Sequence, residues 1–317
     1  MRVLPSIRQL EVFLAVAKTE SFSRAAELTH MSQSALSQAV LQAEAALGTR
    51  LFDRTKRSVR LSPAGRTFLP RVQQVLANLE NAVAELRQDA NPANGRVSIA
   101  CLSLVAARVL PAAIQEFRNL YPGASILVRD DFLDRVTERL RRGEADLAVS
   151  ALPKPEAGIL FQPLFDERFY FITPRGHPLG LRKRVTWRDL ADTNFVGLPS
   201  TSSVRVAVDR ARIAAGTFRE TTYEVGRVTS VVEIVAQGGG VSVVPALALA
   251  DPTLRNQMHA TLVTKPIVQR TIGIMSVRGQ ALSATAREFH RLLMSNIRKK
   301  TLERVPGITV VAAKSER

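Results

Sequence analysis

Apolar positions in the first ninety residues fall into helical registers. Ile7, Leu10, Phe13, Leu14 and Ala17 recur three and four apart through residues 6–20, the stripe of an amphipathic helix. Ser21 or Ser23 is placed to cap a short second helix running to Leu28, and Thr29-His30-Met31 breaks it. Ser32 precedes a third helix with Leu36, Val40, Ala43 and Leu47 on one face, closed by Gly48 just past its end. Two short helices joined by a tight turn form a helix-turn-helix pattern. Leu51-Phe52 anchors the next stretch, Arg54 to Leu61, whose Lys56-Arg57-Ser58 centre predicts the tip of a small β-ribbon, the wing of the winged variant.

From Ala64 to Gln88 the rhythm changes. Phe68, Val72, Val75, Leu79, Ala82 and Leu86 alternate four- and three-residue steps, with Leu69, Leu76 and Val83 beside them seven apart. This heptad pattern predicts a long helix whose wide apolar stripe needs a partner surface. That partner is either a second copy of the chain or its own second domain. Dimerisation is the preferred reading, through Phe68, Val72, Val75, Leu79 and Leu86.

Asn91-Pro92-Ala93-Asn94-Gly95 is a cluster of helix breakers and marks a domain boundary. Beyond it, strand and helix alternate. Strands are predicted at 97–101, 125–129, 146–149, 169–173, 222–225, 241–244 and 271–277, and helices at 104–120, 133–142, 204–215, 231–237 and 285–298. Such alternation predicts parallel sheet covered by helices, here as two α/β subdomains with a ligand cleft between them. The predicted division is 1–63, a winged helix-turn-helix domain; 64–90, a linker and dimerisation helix; and 91–300, a ligand domain. Within the last, subdomain I takes about 95–163 and 267–298, and subdomain II about 164–266; residues 301–317 form a basic tail.

Charge sharpens this outline. The 317-residue chain carries 44 basic and 28 acidic residues, a formal net charge of +16 that suits a polyanionic partner. Arg50, Arg54, Lys56, Arg57, Arg60, Arg66 and Arg71 concentrate around the predicted ribbon against Asp53 alone. The single cysteine, Cys101, excludes a disulfide framework or a multi-cysteine metal site and points to a reducing compartment. Residues 1–17 contain Arg2, Pro5, Arg8 and Glu11, which break any apolar targeting segment, and no later run reaches eighteen apolar residues. A soluble, cytoplasmic protein with no membrane association is expected.

Residues 23–65 carry a specific pattern. Ser23-Arg24-Ala25-Ala26, Ser32-Gln33-Ser34-Ala35-Leu36-Ser37, Glu44, Leu47-Gly48, Leu51-Phe52-Asp53-Arg54 and Leu61-Ser62-Pro63-Ala64-Gly65 stand in one register. They resemble the N-terminal domain of LysR-type transcriptional regulators. Leu110-Pro111, Phe117, Tyr121-Pro122, Gly143 to Ala148, Gly176 to Leu179 and Gly238 to Val241 are similar to that family's effector domain and fall in its order. The resemblance spans roughly 6–298 and implies an α/β fold with an N-terminal winged helix-turn-helix, a linker helix and two subdomains of periplasmic-binding-protein type. Ser34, Gln38 and Ala43 replace the family's usual proline, basic residue and leucine. The first two bear on base preference and the third on packing under the helix.

Chemistry agrees with that pattern. A recognition helix offers its N-terminal side chains to base edges in the major groove. Here those are Ser32, Gln33, Ser34, Ser37 and Gln38; the amide groups of Gln33 and Gln38 can pair bidentately with adenine. Arg54, Lys56, Arg57 and Arg60 suit phosphate contacts, and the resemblance adds Ser23 and Arg24 to the DNA-binding set. The expected nucleic acid is double-stranded promoter DNA with dyad half-sites.

Ser103, Thr201-Ser202-Ser203 and Thr229-Ser230 stand just before predicted helices. Converging helix N-termini suit a small anion, so an organic anion is the preferred effector. The expected effector-binding set is Leu102, Ser103, Ser150, Thr201, Ser202 and Thr229. No phosphate loop, dinucleotide fingerprint or nucleophile elbow is present, the four histidines are scattered, and neither catalysis nor a cofactor or metal is expected. Gly238-Gly239-Gly240 reads as a turn before the Val241 strand. Two other functions fit parts of the chain: a cytoplasmic metabolite-binding protein, and a sequence-neutral architectural DNA-binding protein. Tetramers, as dimers of dimers, are implied by the resemblance alone.

Overall fold

The computed structural model of the protein describes residues 4–54, 59–86, 92–152, 154–221, 223–298, 302 and 305–311. It divides into Met1–Ala90 with Arg141–Glu144, and Asn91–Leu140 with Ala145–Arg317.

Serine caps set the helices of the first unit. α1 (Ile7–Thr19) starts in a reciprocal capping box between Ser6 and Gln9. α2 (Phe22–Leu28) is capped by Ser21, and α3 (Gln33–Leu47) by Ser32, whose hydroxyl accepts the Ala35 N–H. Gly48 ends α3 at φ 66°, a left-handed conformation that glycine adopts without steric cost. β1 (Phe52–Arg54) and β2 (Val59–Leu61) pair antiparallel, with Phe52 opposite Leu61. α4 (Pro63–Leu86) follows; at Gly65 a Cβ would lie 2.1 Å from the Leu51 carbonyl oxygen, so only glycine permits this approach. Val12, Phe13, Val16, Leu36, Val40, Leu51, Phe52 and Val72 form the core.

The second unit begins with β3 (Arg96–Leu102), α5 (Ser103–Arg108), α6 (Leu110–Leu120), β4 (Ser125–Asp131), α7 (Leu133–Arg141) and β5 (Leu147–Ala151). β6 (Ile159–Pro174), β7 (Arg184–Thr186), β8 (Val196–Gly197), α8 (Ser203–Ala214), β9 (Tyr223–Glu224) and α9 (Val228–Ala236) come next. β10 (Ser242–Pro245), α10 (Pro252–Arg255), β11 (Met258–Thr264), β12 (Gln269–Val277), α11 (Ala284–Arg298) and β13 (Ile308–Val310) complete it. Among the described residues the main sheet runs β4-β3-β5-β12-β6-β11-β7, with β10 and β13 also paired to β6.

β6 is the strand common to two lobes. Its first part pairs with β12 beside β3, β4 and β5, and its second part pairs with β10 and β11. α8 and α9 belong to the second lobe, where Phe195, Val204, Val208, Val231 and Val235 are buried. In the first lobe Phe117 of α6 meets Phe289 of α11 edge to face, ring centroids 5.5 Å apart.

Four expectations change. β3, β4 and β5 are mutually parallel and β11 is parallel to β7, but β12 runs antiparallel to β5 and β6, so the main sheet is mixed. The helix expected over 104–120, with Pro111 as a first turn or a kink within it, is two helices divided at Val109, and Pro111 stands in the first turn of α6. β6 begins ten residues before the expected 169, since Pro163 and the charged run Asp166-Glu167-Arg168 mask the alternation there. Finally, Ile308–Val310 of the expected basic tail pairs with Phe165–Glu167 of β6, and the side chains of Leu302, Val305 and Ile308 are buried.

Candidate functional site

On the first unit, α3 turns one face inward and one outward. Leu36, Val40 and Ala43 are buried, while Ser32, Gln33, Ser34 and Gln38 are exposed and Ser37 is half-buried. Ser32 is occupied as the cap and lies 3.1 Å from the Ser34 hydroxyl. The Ser23 hydroxyl donates to Gln33 Oε1 at 3.2 Å, and Arg24 beside it is exposed. This contact leaves the Gln33 amide N–H₂ to face outward chemistry. Arg60 is exposed on β2 and Arg54 ends β1. Lys56 and Arg57, the expected ribbon tip, lie outside the described residues.

The long helix splits its apolar stripe in two. Val72 is 1% exposed, and Phe68 packs partly buried with its ring centroid 5.6 Å from that of Phe13. Both are occupied by the unit's own core. Val75, at 53% exposure, and Leu79, at 37%, face outward with Val83. The position of the Leu86 side chain lies outside what is described.

In the second unit a cavity of about 50 Å³ opens between the lobes. Leu102, Ser103, Ser202 and Thr229 of the expected set line it. Thr201 is exposed and outside the lining, and Ser150 is fully buried in β5 with its hydroxyl lacking a hydrogen-bond partner. The three helices that start at the cavity, α5, α8 and α9, have no side-chain cap. Their first-turn N–H groups are therefore open to a ligand, in contrast to α1, α2 and α3.

Two arginines there were not singled out from the sequence. Arg227 precedes α9, and its Nη1 donates to Ser103 Oγ at 2.6 Å and to Asp130 Oδ2 at 2.9 Å. Arg270 on β12 donates from Nε to Glu167 Oε1 at 2.8 Å and from Nη1 to Ser203 Oγ at 3.1 Å. Glu167 is fully buried and also accepts the Leu247 N–H at 3.0 Å. A helix-start search could have reached Arg227, two residues before Thr229, whereas Arg270 depends on the register of β12. The apolar part of the lining includes Leu104, Phe132, Leu133, Leu198 and Val204.

Cys101 sits on β3, fully buried, and burial with the nearby Asp130 charge pushes its thiol up to about 12. Among the described residues no group of three His, Cys, Asp or Glu could hold a metal ion. No helix among them is long and apolar enough to cross a membrane.

The sequence matches two family descriptions: "Bacterial regulatory helix-turn-helix protein, lysR family" over residues 7–66, and "LysR substrate binding domain" over residues 90–298. A regulator of Bacillus subtilis, the uncharacterized HTH-type transcriptional regulator YybE, is 31% identical, covering 91% of this chain and 98% of that protein. A probable hydrogen peroxide-inducible genes activator of Streptomyces viridosporus is 32% identical, covering 93% and 95%. The solved structure of a full-length OxyR variant from Pseudomonas aeruginosa superposes with a TM-score of 0.71 at 26% identity, covering 92% and 94%. With both matches in chain order, the protein belongs to the LysR family: a DNA-binding transcriptional regulator that carries an effector-binding domain behind its helix-turn-helix.

Proposed function

We propose that the chain reads operator half-sites with the exposed face of α3 and is switched by a small organic anion held between its two lobes. Gln33 and Gln38, with Ser32, Ser34 and Ser37, meet base edges. Ser23, Arg24, Arg54, Lys56, Arg57 and Arg60 hold phosphates and fix the register. The protein pairs through the outward face of α4 at Val75 and Leu79 and assembles as a tetramer in the cytoplasm. It acts without catalysis.

One observation carries the effector reading. Ser103, Ser202 and Thr229, the uncapped starts of α8 and α9 and the guanidinium donors of Arg227 and Arg270 converge on one cavity. Helix starts and guanidinium groups both favour negative charge. A ligand touching both lobes changes their relative angle, and with it the spacing of DNA-binding units across the tetramer.

The relative named for peroxide induction raises a second trigger, thiol oxidation. Cys101 speaks against it: it is the chain's single cysteine, buried and held as a neutral thiol, so neither a thiolate nor an intramolecular disulfide is available. Footprinting the DNA upstream of the gene that encodes the chain, with and without candidate organic acids and with peroxide, tests the reading. A dyad-symmetric footprint that an acid extends or shortens is expected. A footprint shifted by peroxide alone, or none on any specific sequence, overturns it.

A further inference from the structure

The two arginines of the cavity are held very differently. Arg270 is fixed: its partner Glu167 is fully buried, pinned by the Leu247 N–H, and lies on the neighbouring strand. Arg227 belongs to the second lobe, yet both its partners, Asp130 and Ser103, belong to the first. The Arg227 and Asp130 side chains remain 55% and 43% exposed, so this pair spans the cleft in contact with water. An exposed ion pair binds its members weakly, and a competing carboxylate exchanges into it at little cost.

The position of the pair ties it to occupancy. Arg227 and Ser103 both line the cavity, and an acid that takes the Arg227 guanidinium there competes with Asp130 for it. Once Asp130 leaves, Arg227 and the Ser103 hydroxyl present the donors for one carboxylate, above a lining of Leu104, Phe132, Leu133 and Leu198.

We propose that Asp130 is an internal counter-ion standing where the effector's carboxylate goes, and that the effector is a monocarboxylic acid with an apolar body that takes Arg227 from it. This rests on the effector reading given above. Asp130 then tunes the threshold: its negative charge raises the concentration of acid needed, while the preference for an acid over a neutral analogue comes from Arg227. Arg270, already neutralised by Glu167, orients the ligand without supplying net charge.

Calorimetric titration of the full-length protein with propionate, cyclohexanecarboxylate and cyclohexanecarboxamide tests the assignment. Cyclohexanecarboxylate is expected to bind tighter than propionate and the amide. Asp130→Asn should tighten cyclohexanecarboxylate by about threefold, the hold of an exposed pair, and leave the amide unchanged. Arg227→Gln should remove the acid's advantage over the amide, and Asp130→Asn should then add nothing in that background. Equal acid affinity in the parent and Asp130→Asn, or a gain that persists without Arg227, overturns the counter-ion. Thr229→Trp, at an exposed position on the cavity lining, separates this from failure of the effector reading itself. Acid binding that survives Thr229→Trp lies elsewhere and overturns both. Loss in Thr229→Trp with no response to Asp130→Asn overturns the counter-ion alone. Unchanged thermal unfolding of each variant is the control for folding.

Discussion

Glu44 Oε1 accepts the backbone N–H of Leu51 at 2.7 Å, joining the last turn of α3 to the start of the ribbon. The same oxygen accepts the Phe52 N–H at 3.2 Å, so one buried carboxylate satisfies two donors that the chain turn leaves without strand partners. Glu44→Ala should destabilise the first unit by about 2–3 kcal/mol, because buried donors lose their acceptor. Glu44→Gln keeps a carbonyl oxygen and should cost less than half as much. Hydrogen exchange at Leu51 and Phe52 reads this locally; unchanged protection in Glu44→Ala would remove the carboxylate from that role.

Base reading can be separated from phosphate binding. Gln33→Ala should cost about 1–3 kcal/mol on the operator and leave random DNA nearly untouched. Arg60→Ala should weaken both alike and flatten the salt dependence. Electrophoretic shifts at several salt concentrations distinguish the two, and equal losses on both DNAs for Gln33→Ala would exclude it as a reader.

The divided stripe of α4 makes an assembly prediction that heptad spacing alone could not. Val72→Asp places a charge in the core of the first unit and should unfold it. Leu79→Asp puts the charge on the exposed face, so the unit should stay folded while dimers dissociate and operator affinity falls with the loss of the second half-site. Sedimentation beside circular dichroism checks this; a folded Leu79→Asp that sediments like the parent would send the dimer contact elsewhere.

His290 gives a pH signature. Burial holds its imidazole below the usual range, and its Nε2 lies 2.9 Å from Gln162 Oε1. The fold thus favours neutral His290, so the unfolded chain binds the proton first as pH falls. Its contribution to stability is complete above the unfolded value of about 6.5 and is lost as pH drops through the lower folded value. His290→Gln should flatten the fall in unfolding temperature between about pH 7.5 and 5. An unchanged slope would assign the acid sensitivity to other groups.

The first unit was legible in the sequence because its signals are local. Ser21, Ser32 and Gly48 cap helices within three or four residues, and Leu36 and Val40 keep the helical period. The cleft was only half legible. Ser103, Ser202 and Thr229 announced themselves by preceding helices, but Ser150 and Thr201 carried the same residue type without the location. Arg227 and Asp130 are 97 residues apart, and no local periodicity encodes that encounter. The mixed pairing of β12 was likewise invisible, since strand direction follows from how the chain returns rather than from its apolar pattern.

β13 occupies the edge of β6 along Phe165, Asp166 and Glu167, the residues that pair on their other side with β12. β6 is also the strand that passes from one lobe to the other. Near that passage it is therefore braced on both sides, and bending it means deforming a three-stranded ribbon. Mechanically β13 is a splint on the strand that the two lobes share. Glu167, which anchors the cavity's Arg270, lies within the splinted span, so loosening the splint would soften the hinge and unsettle the fixed charge together. A segment that resembles a solvated basic tail in the sequence thereby braces both the strand shared by the two lobes and the carboxylate that anchors the cavity's Arg270.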